Sequence, residues 1–163
     1  MIRTGVLTLS DKGAAGERED KSGPLIGELI AGIGGEVEYY RIIPDRKEQL
    51  REELEKMAGE MNLDLVLTTG GTGLAPRDVT PDVTHRFIER EVPGIPEAIR
   101  AASLEKTPMA MLSRATAGVR GETLIINLPG SPKAVKECLE VVMPVLEHAV
   151  ELIRGEGGEC ARE

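Results

Sequence analysis

Short apolar runs alternate along the chain with longer segments in which apolar residues recur every three or four positions. The short runs are rich in aliphatic and β-branched residues and predict buried strands over residues 6–9, 37–43, 65–67 and 123–127. The longer segments have the spacing of amphipathic helices, as at Leu50, Leu54 and Met57. Strands that alternate with helices predict an α/β fold, with a mostly parallel sheet covered by helices on both faces.

Small polar residues mark several predicted helix starts. Ser22 is predicted to cap one helix, and Ser131 is predicted to cap the last one. Asp45 stands three residues before Glu48, which is the spacing of a capping box in which both side chains bond backbone amides. Pro144 lies inside the last helical pattern and is expected to kink or divide that helix.

The length of 163 residues favours one domain, large enough to bury a core without metal or disulfide cross-links. A single domain is predicted over residues 1–155, followed by a flexible tail at residues 156–163. The sequence contains no internal repeat, low-complexity tract or linker that would divide it. The stretch 109–120 is ambiguous and has room for one or two short extra strands.

Composition excludes several classes of protein. The formal net charge of −8 and the aromatic content of 2% argue against a nucleic-acid partner, which needs a basic field or a stacking platform. No apolar run approaches the roughly 20 residues that span a bilayer, and strand-like sequence from Arg3 leaves no room for a signal peptide. Cys138 and Cys160 have no metal-ligand spacing. We therefore expect a cytoplasmic protein without a membrane partner.

Polar loops follow the predicted strands, and they carry the candidate chemistry. In an open α/β sheet, ligands bind beyond the carboxyl ends of the strands. Glycines, hydroxyls and carboxylates collect in these loops, which begin at Ser10, Pro44, Thr68 and Leu128. Such groups are the components of an anion and metal site, so the sequence predicts ligand binding at this edge of the sheet.

The loop from Thr69 to Asp78 is the most informative of these segments. Gly70, Gly71 and Gly73 allow positive φ angles and a close approach of backbone to a ligand, and successive amides can form an anion-binding nest. The loop is not a Walker A sequence, because no Gly-Lys-Ser/Thr follows, and it departs from the dinucleotide fingerprint as well. Taken alone, the loop is compatible with either of two interpretations, a phosphate-binding loop or a purely structural tight turn.

The candidate carboxylates also have two interpretations each. Asp45 could cap a helix or hold Mg²⁺, and Asp78 could close an Asx turn or hold the same ion. Asp11 has the same ambiguity in its loop. Lys133 would ordinarily be a solvated lysine in a first helical turn, and Ser103 a small residue near a helix end.

Several blocks taken together carry a resemblance. They are Pro44-Asp45, Thr69-Gly70-Gly71-Thr72-Gly73, Arg77-Asp78-Val79-Thr80-Pro81, Leu112-Ser113-Arg114 and Asn127-Leu128-Pro129-Gly130-Ser131-Pro132-Lys133. In this order they resemble the molybdenum-cofactor proteins of the MogA/MoaB type, over residues 9–155. The stretch 107–136 is more similar to the molybdopterin adenylyltransferases, including the G domains of eukaryotic fusion proteins, than to the MoaB branch.

This resemblance implies a three-layer α/β/α fold, usually assembled as a homotrimer. It implies Mg²⁺-dependent transfer of AMP from ATP to the terminal phosphate of molybdopterin, with release of pyrophosphate. The adenylylated product would pass to a molybdenum insertase partner. The alternative is a non-catalytic, MoaB-like protein that binds molybdopterin or assembles other components without turnover.

The resemblance also implies roles for individual residues. Asp45 and Asp78 match the functional carboxylates and would be catalytic and metal-binding. Ser103 matches a position on the pterin side, whereas Thr72 lies on the nucleotide side. The implied substrate-binding residues are Ser10, Asp11, Gly70, Gly71, Thr72, Gly73, Ser103, Pro129, Gly130, Ser131 and Lys133. Both carboxylates are present, which favours the enzyme over the non-catalytic alternative.

Overall fold

Six strands form one sheet in the computed structural model, which describes residues 1–156. They are β1 (Ile2–Leu9), β2 (Gly35–Ile43), β3 (Leu65–Thr69), β4 (Arg90–Glu91), β5 (Ala117–Arg120) and β6 (Thr123–Leu128). Their order is β2-β1-β3-β6-β5-β4. Strands β2, β1, β3 and β6 pair in parallel, and β5 is antiparallel to both of its neighbours. The prediction of a mostly parallel sheet is confirmed.

Helices cover both faces of the sheet. They are α1 (Asp11–Ala14), α2 (Ser22–Gly32), α3 (Lys47–Glu55), α4 (Thr80–Phe87), α5 (Gly94–Leu104) and α6 (Pro132–Ile153). A π-helical turn, Lys56–Glu60, extends α3, and a 3₁₀ turn, Pro108–Leu112, follows α5. Helices α2, α5 and α6 pack on one face, around Ile26, Ile99 and Leu139. Helices α3 and α4 pack on the other, around Leu54 and Phe87, which gives the expected three-layer α/β/α fold.

Some predicted details differ from the structure. Pro144 lies inside α6 without dividing it, because α6 runs continuously from Pro132 to Ile153. The ambiguous stretch 109–120 contains the 3₁₀ turn and one strand, β5. The predicted tail, residues 156–163, lies outside the described residues except for Glu156, and Cys160 lies outside them as well. The predicted domain bounds therefore stay a prediction. Within residues 1–156, no helix is long and apolar enough to cross a membrane.

The predicted cap of α2 is wrong, whereas the predicted cap of α6 is confirmed. Helix α2 begins at Ser22, and its first amides donate to the Asp20 carboxylate, at 3.0 Å from Ser22 and 3.1 Å from Gly23. The Ser22 hydroxyl donates instead to the carbonyl of Gly130, at 2.7 Å. In α6 the Ser131 hydroxyl accepts from the Ala134 amide at 3.3 Å.

The predicted capping box of α3 is also wrong. Helix α3 begins at Lys47, its cap position is Arg46, and no side-chain hydrogen bond caps it in the described structure. The reason is a tight turn in which the Arg46 amide donates to the Pro44 carbonyl, at 2.8 Å. That turn moves the helix start one residue past Asp45, so the Asp45 carboxylate is available for another role.

A buried amide joins the central strands to α4. Asn127 donates from Nδ2 to the hydroxyls of Thr68, at 2.9 Å, and Thr84, at 3.0 Å. Its Oδ1 accepts from the Thr116 amide at 3.2 Å. An unpaired buried polar group costs about 1–3 kcal/mol, so these bonds favour one arrangement of β3, β6 and α4. They thereby fix the strand ends from which the candidate loops emerge.

Candidate functional site

The loops that follow β3 and β6 meet as a narrow ridge, defined here by residues 69–71 and 129–131. The Thr69 hydroxyl donates to the Pro129 carbonyl at 2.6 Å. A Cβ atom on Gly70 would lie 2.4 Å from the Leu9 carbonyl oxygen, and Gly70 has a φ of +96°. A Cβ atom on Gly130 would lie 3.5 Å from the Cα atom of Gly70. At Gly70, therefore, glycine is required by the protein's own backbone packing.

The next two glycines of the loop lie against the candidate carboxylates. A Cβ atom on Gly71 would lie 3.2 Å from Oδ1 of Asp45 and 2.4 Å from the Thr80 hydroxyl. A Cβ atom on Gly73 would lie 2.8 Å from Oδ2 of Asp78. The glycine loop, residues 69–78, thus places Gly71 next to the Asp45 carboxylate and Gly73 next to the Asp78 carboxylate, although Asp45 and Asp78 are distant in sequence.

Asp45 lies among negative charges. Its amide donates to Oδ1 of Asp11 at 2.9 Å. Burial raises the pKa of Asp45, and the charges of Asp11 and Asp78 raise it further, against the opposing effects of the Asp11 amide and of Arg77. Around Asp45 the negative charges of Asp11 and Asp78 thus outweigh the positive charge of Arg77, and a bound cation would offset the difference.

Asp78 closes a turn, as one of its two interpretations predicts. Its Oδ2 accepts from the Ala75 amide at 2.9 Å, and its own amide donates to the Ala75 carbonyl at 2.8 Å. An ionised carboxylate has about four acceptor positions, so the turn leaves capacity for a cation. Within residues 1–156, no group of three or more His, Cys, Asp or Glu side chains is arranged to hold a metal by itself. Any metal here would need further ligands from water or a substrate.

Two cavities flank the ridge. The first, the Ser10 cavity, has a volume of about 530 Å³ and is lined by Ser10, Thr69 and the loop from Gly130 to Pro132. It lies at the end of β1. From there the chain continues to β2 on one side of β1, whereas the next strand in sequence, β3, lies on the other side of β1. Such a switch point is the usual binding crevice of an open α/β sheet.

The second cavity, the Ser103 cavity, has a volume of about 470 Å³ and lies between the ridge, α5 and α6. Its lining is mostly apolar and includes Thr72, Ser103 and Pro129. The Ser103 hydroxyl lies 4.0 Å from the buried Cys138 thiol, whose pKa is raised by burial. Thr72 and Ser103, which the resemblance assigns to different substrates, therefore line one cavity.

Three further predicted site residues take ordinary structural positions. The Ser10 hydroxyl accepts from the Gly13 amide at 3.0 Å and so caps α1, while Asp11 is the first residue of that helix. Lys133 is exposed on the first turn of α6. A capping hydroxyl still has a proton to donate, so the cap at Ser10 leaves room for a ligand contact.

Asp20 is a residue of this region that the sequence analysis missed. Besides the α2 amides, its carboxylate accepts from the hydroxyls of Thr8 and Tyr40, both at 2.6 Å. Burial raises the pKa of Asp20, but these hydrogen bonds together lower it, while burial and Asp20 itself raise the pKa of Tyr40. An acidic residue two positions before Ser22 is a pattern typical of a helix cap, and this signal could have identified Asp20.

Comparison with known proteins places these features in a family. The family described as a probable molybdopterin binding domain matches residues 5–148. A Helicobacter pylori protein named molybdopterin adenylyltransferase is 45% identical over 156 residues, which are 94% of this chain and 89% of that protein. An Escherichia coli K12 protein of the same name is 43% identical over 143 residues, which are 86% of this chain and 73% of that protein.

A solved structure gives the same result for the fold. The crystal structure of a molybdopterin biosynthesis enzyme, MoaB, from Thermus thermophilus superimposes with a TM-score of 0.90 and is 54% identical in sequence. The match covers 95% of this chain and 98% of that one. The relatives thus carry names from both branches of the resemblance.

Replacing Asp45 by Asn should make the protein more stable near neutral pH. The folded-state pKa of Asp45 is raised above its ordinary value of 3.8, so ionising Asp45 destabilises the fold. Relative to Asp45→Asn, the wild-type protein therefore loses stability as the pH rises from 3.8 through the folded-state pKa of Asp45. We expect a higher melting temperature for Asp45→Asn near pH 7 and equal values near about pH 3, where Asp45 is neutral in both states.

Glu38→Gln is the matched control for this titration. The hydrogen bond from Arg3 lowers the pKa of Glu38, so its replacement should have the opposite sign near neutral pH. Melting curves of the three proteins at several pH values test both expectations. A loss of stability in Asp45→Asn that is the same at every pH would contradict the assignment and indicate a structural hydrogen bond.

Proposed function

This chain belongs to the family of probable molybdopterin-binding domains of molybdenum cofactor biosynthesis, and we propose that it is a molybdopterin adenylyltransferase. A terminal phosphate oxygen of molybdopterin would attack the α-phosphorus of ATP. The new P–O bond would form as the bond from the α-phosphorus to the oxygen of the leaving pyrophosphate breaks. The observation that carries the proposal is the ridge between two cavities, beside the carboxylates Asp45 and Asp78.

The ridge offers backbone amides for phosphate binding. The Gly70 amide already donates to the Leu128 carbonyl at 3.1 Å, so the glycine loop would contribute the amides that follow Gly70. Helix α6 begins at Pro132, directly after the second loop of the ridge. The N-terminus of a helix carries partial positive charge and unpaired amides, which favour bound phosphate. Transfer of a phosphoryl group depends mostly on such positioning and charge stabilisation. The molybdopterin phosphate is already an anionic nucleophile, so the reaction needs no strong general base.

Asp45 and Asp78 are the residues that would hold Mg²⁺. Proteins commonly bind this ion through one or two carboxylates together with substrate phosphates, which fits a site without a complete protein ligand set. When bound, Mg²⁺ neutralises triphosphate charge and stabilises the leaving pyrophosphate. Burial is the main cause of the raised pKa of Asp45, and repulsion by Asp11 and Asp78 adds to it, which a bound cation would relieve. Exposed Arg77 and Lys133 would further offset the net charge of −8.

The Ser103 cavity is our candidate for the pterin. Its volume of about 470 Å³ falls in the range typical of small-molecule sites, and its mostly apolar lining suits a flat ring system. The Ser103 hydroxyl supplies a polar group for orientation. The nucleotide would extend from the glycine loop, where Thr72 marks the border between the two ligands. On the other side of the ridge, Ser10 and Ser131 line the Ser10 cavity and would contact the phosphates that extend beyond the Ser103 cavity.

Exposed apolar side chains at the Ser103 cavity support assembly. Leu74 and Met109 are 63% and 64% exposed, and Leu112 beside them is 46% exposed. Apolar surface of this kind commonly marks an interaction site. We propose a homotrimer, and a molybdenum insertase as the partner that accepts the adenylylated product.

Sedimentation equilibrium tests the assembly. A homotrimer should have three times the chain mass of 17.5 kDa at micromolar concentration. The replacement Met109→Glu would place a charge on the apolar surface and should shift the equilibrium towards smaller species. A wild-type protein that stays monomeric at these concentrations would contradict the proposal.

Asp45→Asn and Asp78→Asn should each reduce adenylyl transfer by about 100-fold or more, the scale of losing one charge-stabilising group. Asn can replace Asp in a turn, but it does not supply the negative charge that holds Mg²⁺. Binding of molybdopterin should be preserved in both variants. The measurement is formation of adenylylated molybdopterin from molybdopterin and ATP over a series of Mg²⁺ concentrations.

Glu48→Gln is the control for the carboxylate variants. Glu48 is an exposed carboxylate in the first turn of α3, and its replacement should leave turnover unchanged. Wild-type turnover in Asp45→Asn or Asp78→Asn would exclude that residue from the metal site. If the wild-type protein binds molybdopterin but forms no adenylylated product, the non-catalytic alternative is correct.

Ser103→Ala should weaken molybdopterin binding roughly threefold to tenfold, the effect of losing one hydrogen bond. The affinity for ATP should change less, because the nucleotide contacts the glycine loop. Calorimetric titration with each ligand measures the two effects, and a melting curve checks that the variant is folded. Equal losses for both ligands would contradict the assignment of the pterin to Ser103.

A further inference from the structure

The guanidinium of Arg114 is directed into the glycine loop. Its Nε donates to the Gly73 carbonyl at 2.8 Å, and its Nη2 donates to the Asp78 carbonyl. The backbone amide of Arg114 donates to the Thr72 carbonyl at 2.9 Å. One residue from the segment before β5 therefore holds both ends of the loop 72–78.

The same side chain also holds the helix that follows this loop. Its Nη1 lies 3.0 Å and 3.1 Å from the two carboxylate oxygens of Asp82, in the first turn of α4. The side chains of Arg114 and Asp82 are 34% and 46% exposed, so solvent screens their attraction. The value of the pair lies in its geometry, because a planar guanidinium can direct donors to three acceptors at once.

The segment that carries Arg114 is itself fixed. Arg100, on α5, donates from Nη1 to the carbonyl of Ala115 at 2.9 Å and lies 3.5 Å from the carbonyl of Ser113. Helix α5 thus holds the backbone on both sides of Arg114, while the Arg114 side chain reaches the loop that precedes α4. This arrangement gives the loop a support that does not depend on its own sequence.

We infer that Arg114 is a positioning residue: it fixes the conformation of the loop 72–78 and thereby places the Asp78 carboxylate for the reaction. It does not act as a free cation for the anionic substrates, because its charge is paired with Asp82 and two of its donors bind loop carbonyls. The catalytic part of this inference rests on the proposed function. The conformational part concerns the protein alone and can be measured without substrates.

Arg114→Lys separates positioning from charge. Lysine keeps the positive charge, but its single ammonium group does not reproduce the directed fork of the guanidinium. We expect faster amide hydrogen exchange across residues 72–78 in the substrate-free protein. We also expect kcat to fall roughly 100-fold, the effect of small misplacements in a reacting site. The dissociation constant of molybdopterin should rise far less, because Thr72, Gly73 and Leu74 are only part of the lining of the Ser103 cavity.

Two further variants complete the test. Arg120→Lys is the matched control, since Arg120 also lies near a carbonyl, that of Phe87 at 3.4 Å, and a carboxylate, that of Glu89 at 3.6 Å, but not in the glycine loop. It should leave exchange in the loop and kcat unchanged. Asp82→Asn removes the ion pair and retains the carbonyl bonds of Arg114, so its effects on loop exchange and on kcat should be smaller than those of Arg114→Lys.

The outcomes distinguish this inference from the proposed function. Wild-type loop exchange in Arg114→Lys would overturn the positioning role, whatever happens to kcat. Faster loop exchange with wild-type kcat would overturn the link from the loop to catalysis. If the wild-type protein has no adenylyl transfer at all, the proposed function fails, while the exchange measurement still decides whether Arg114 fixes the loop.

Discussion

The close approach of two backbone segments at the carboxyl edge of the sheet is the constraint on which the candidate site depends. Gly70 passes next to the Leu9 carbonyl with a positive φ angle, and Gly130 lies against the Gly70 Cα atom. A side chain at Gly70 would force the β3 and β6 loops away from β1. The ridge between the two cavities exists because glycine allows this contact, and the start of α6 takes its position from the same ridge.

Polar side chains from distant parts of the chain hold this edge together. Asp20 joins β1, β2 and the start of α2, and Ser22 carries that connection to the Gly130 carbonyl. Arg114 holds the glycine loop from the other side, and Asn127 fixes the strand ends beneath it. Each of these four residues bonds to at least one backbone group. The loops are thus preorganised by the fold, and phosphates would meet amides that already have their orientation.

Charge sets the second requirement of the site. An acidic chain that binds molybdopterin and ATP, as proposed, would need local positive charge, and the candidate site contains Asp11, Asp45 and Asp78 close together. Helix N-termini and loop amides supply partial charges, but they do not neutralise a triphosphate. A divalent cation shared between the carboxylates and the phosphates, as proposed, would meet this requirement and would account for carboxylates beside the glycine loop. The family relationship and the electrostatics therefore support the same reaction.

The sequence by itself determined the periodic elements and the mostly parallel sheet, and it predicted the edge at which ligands would bind. Apolar periodicity and glycine spacing are local properties, so they could be read for β1, β3 and α6, and the motif order was enough to indicate the family. Tertiary structure decided the direction of individual polar groups. Asp45 and Ser22 have the local pattern of caps, but a turn at Pro44 and the carboxylate of Asp20 changed both outcomes. Arg114 reaches acceptors 32 to 41 positions away in the chain, and hydrogen bonds between such distant residues leave no periodic signal in the sequence.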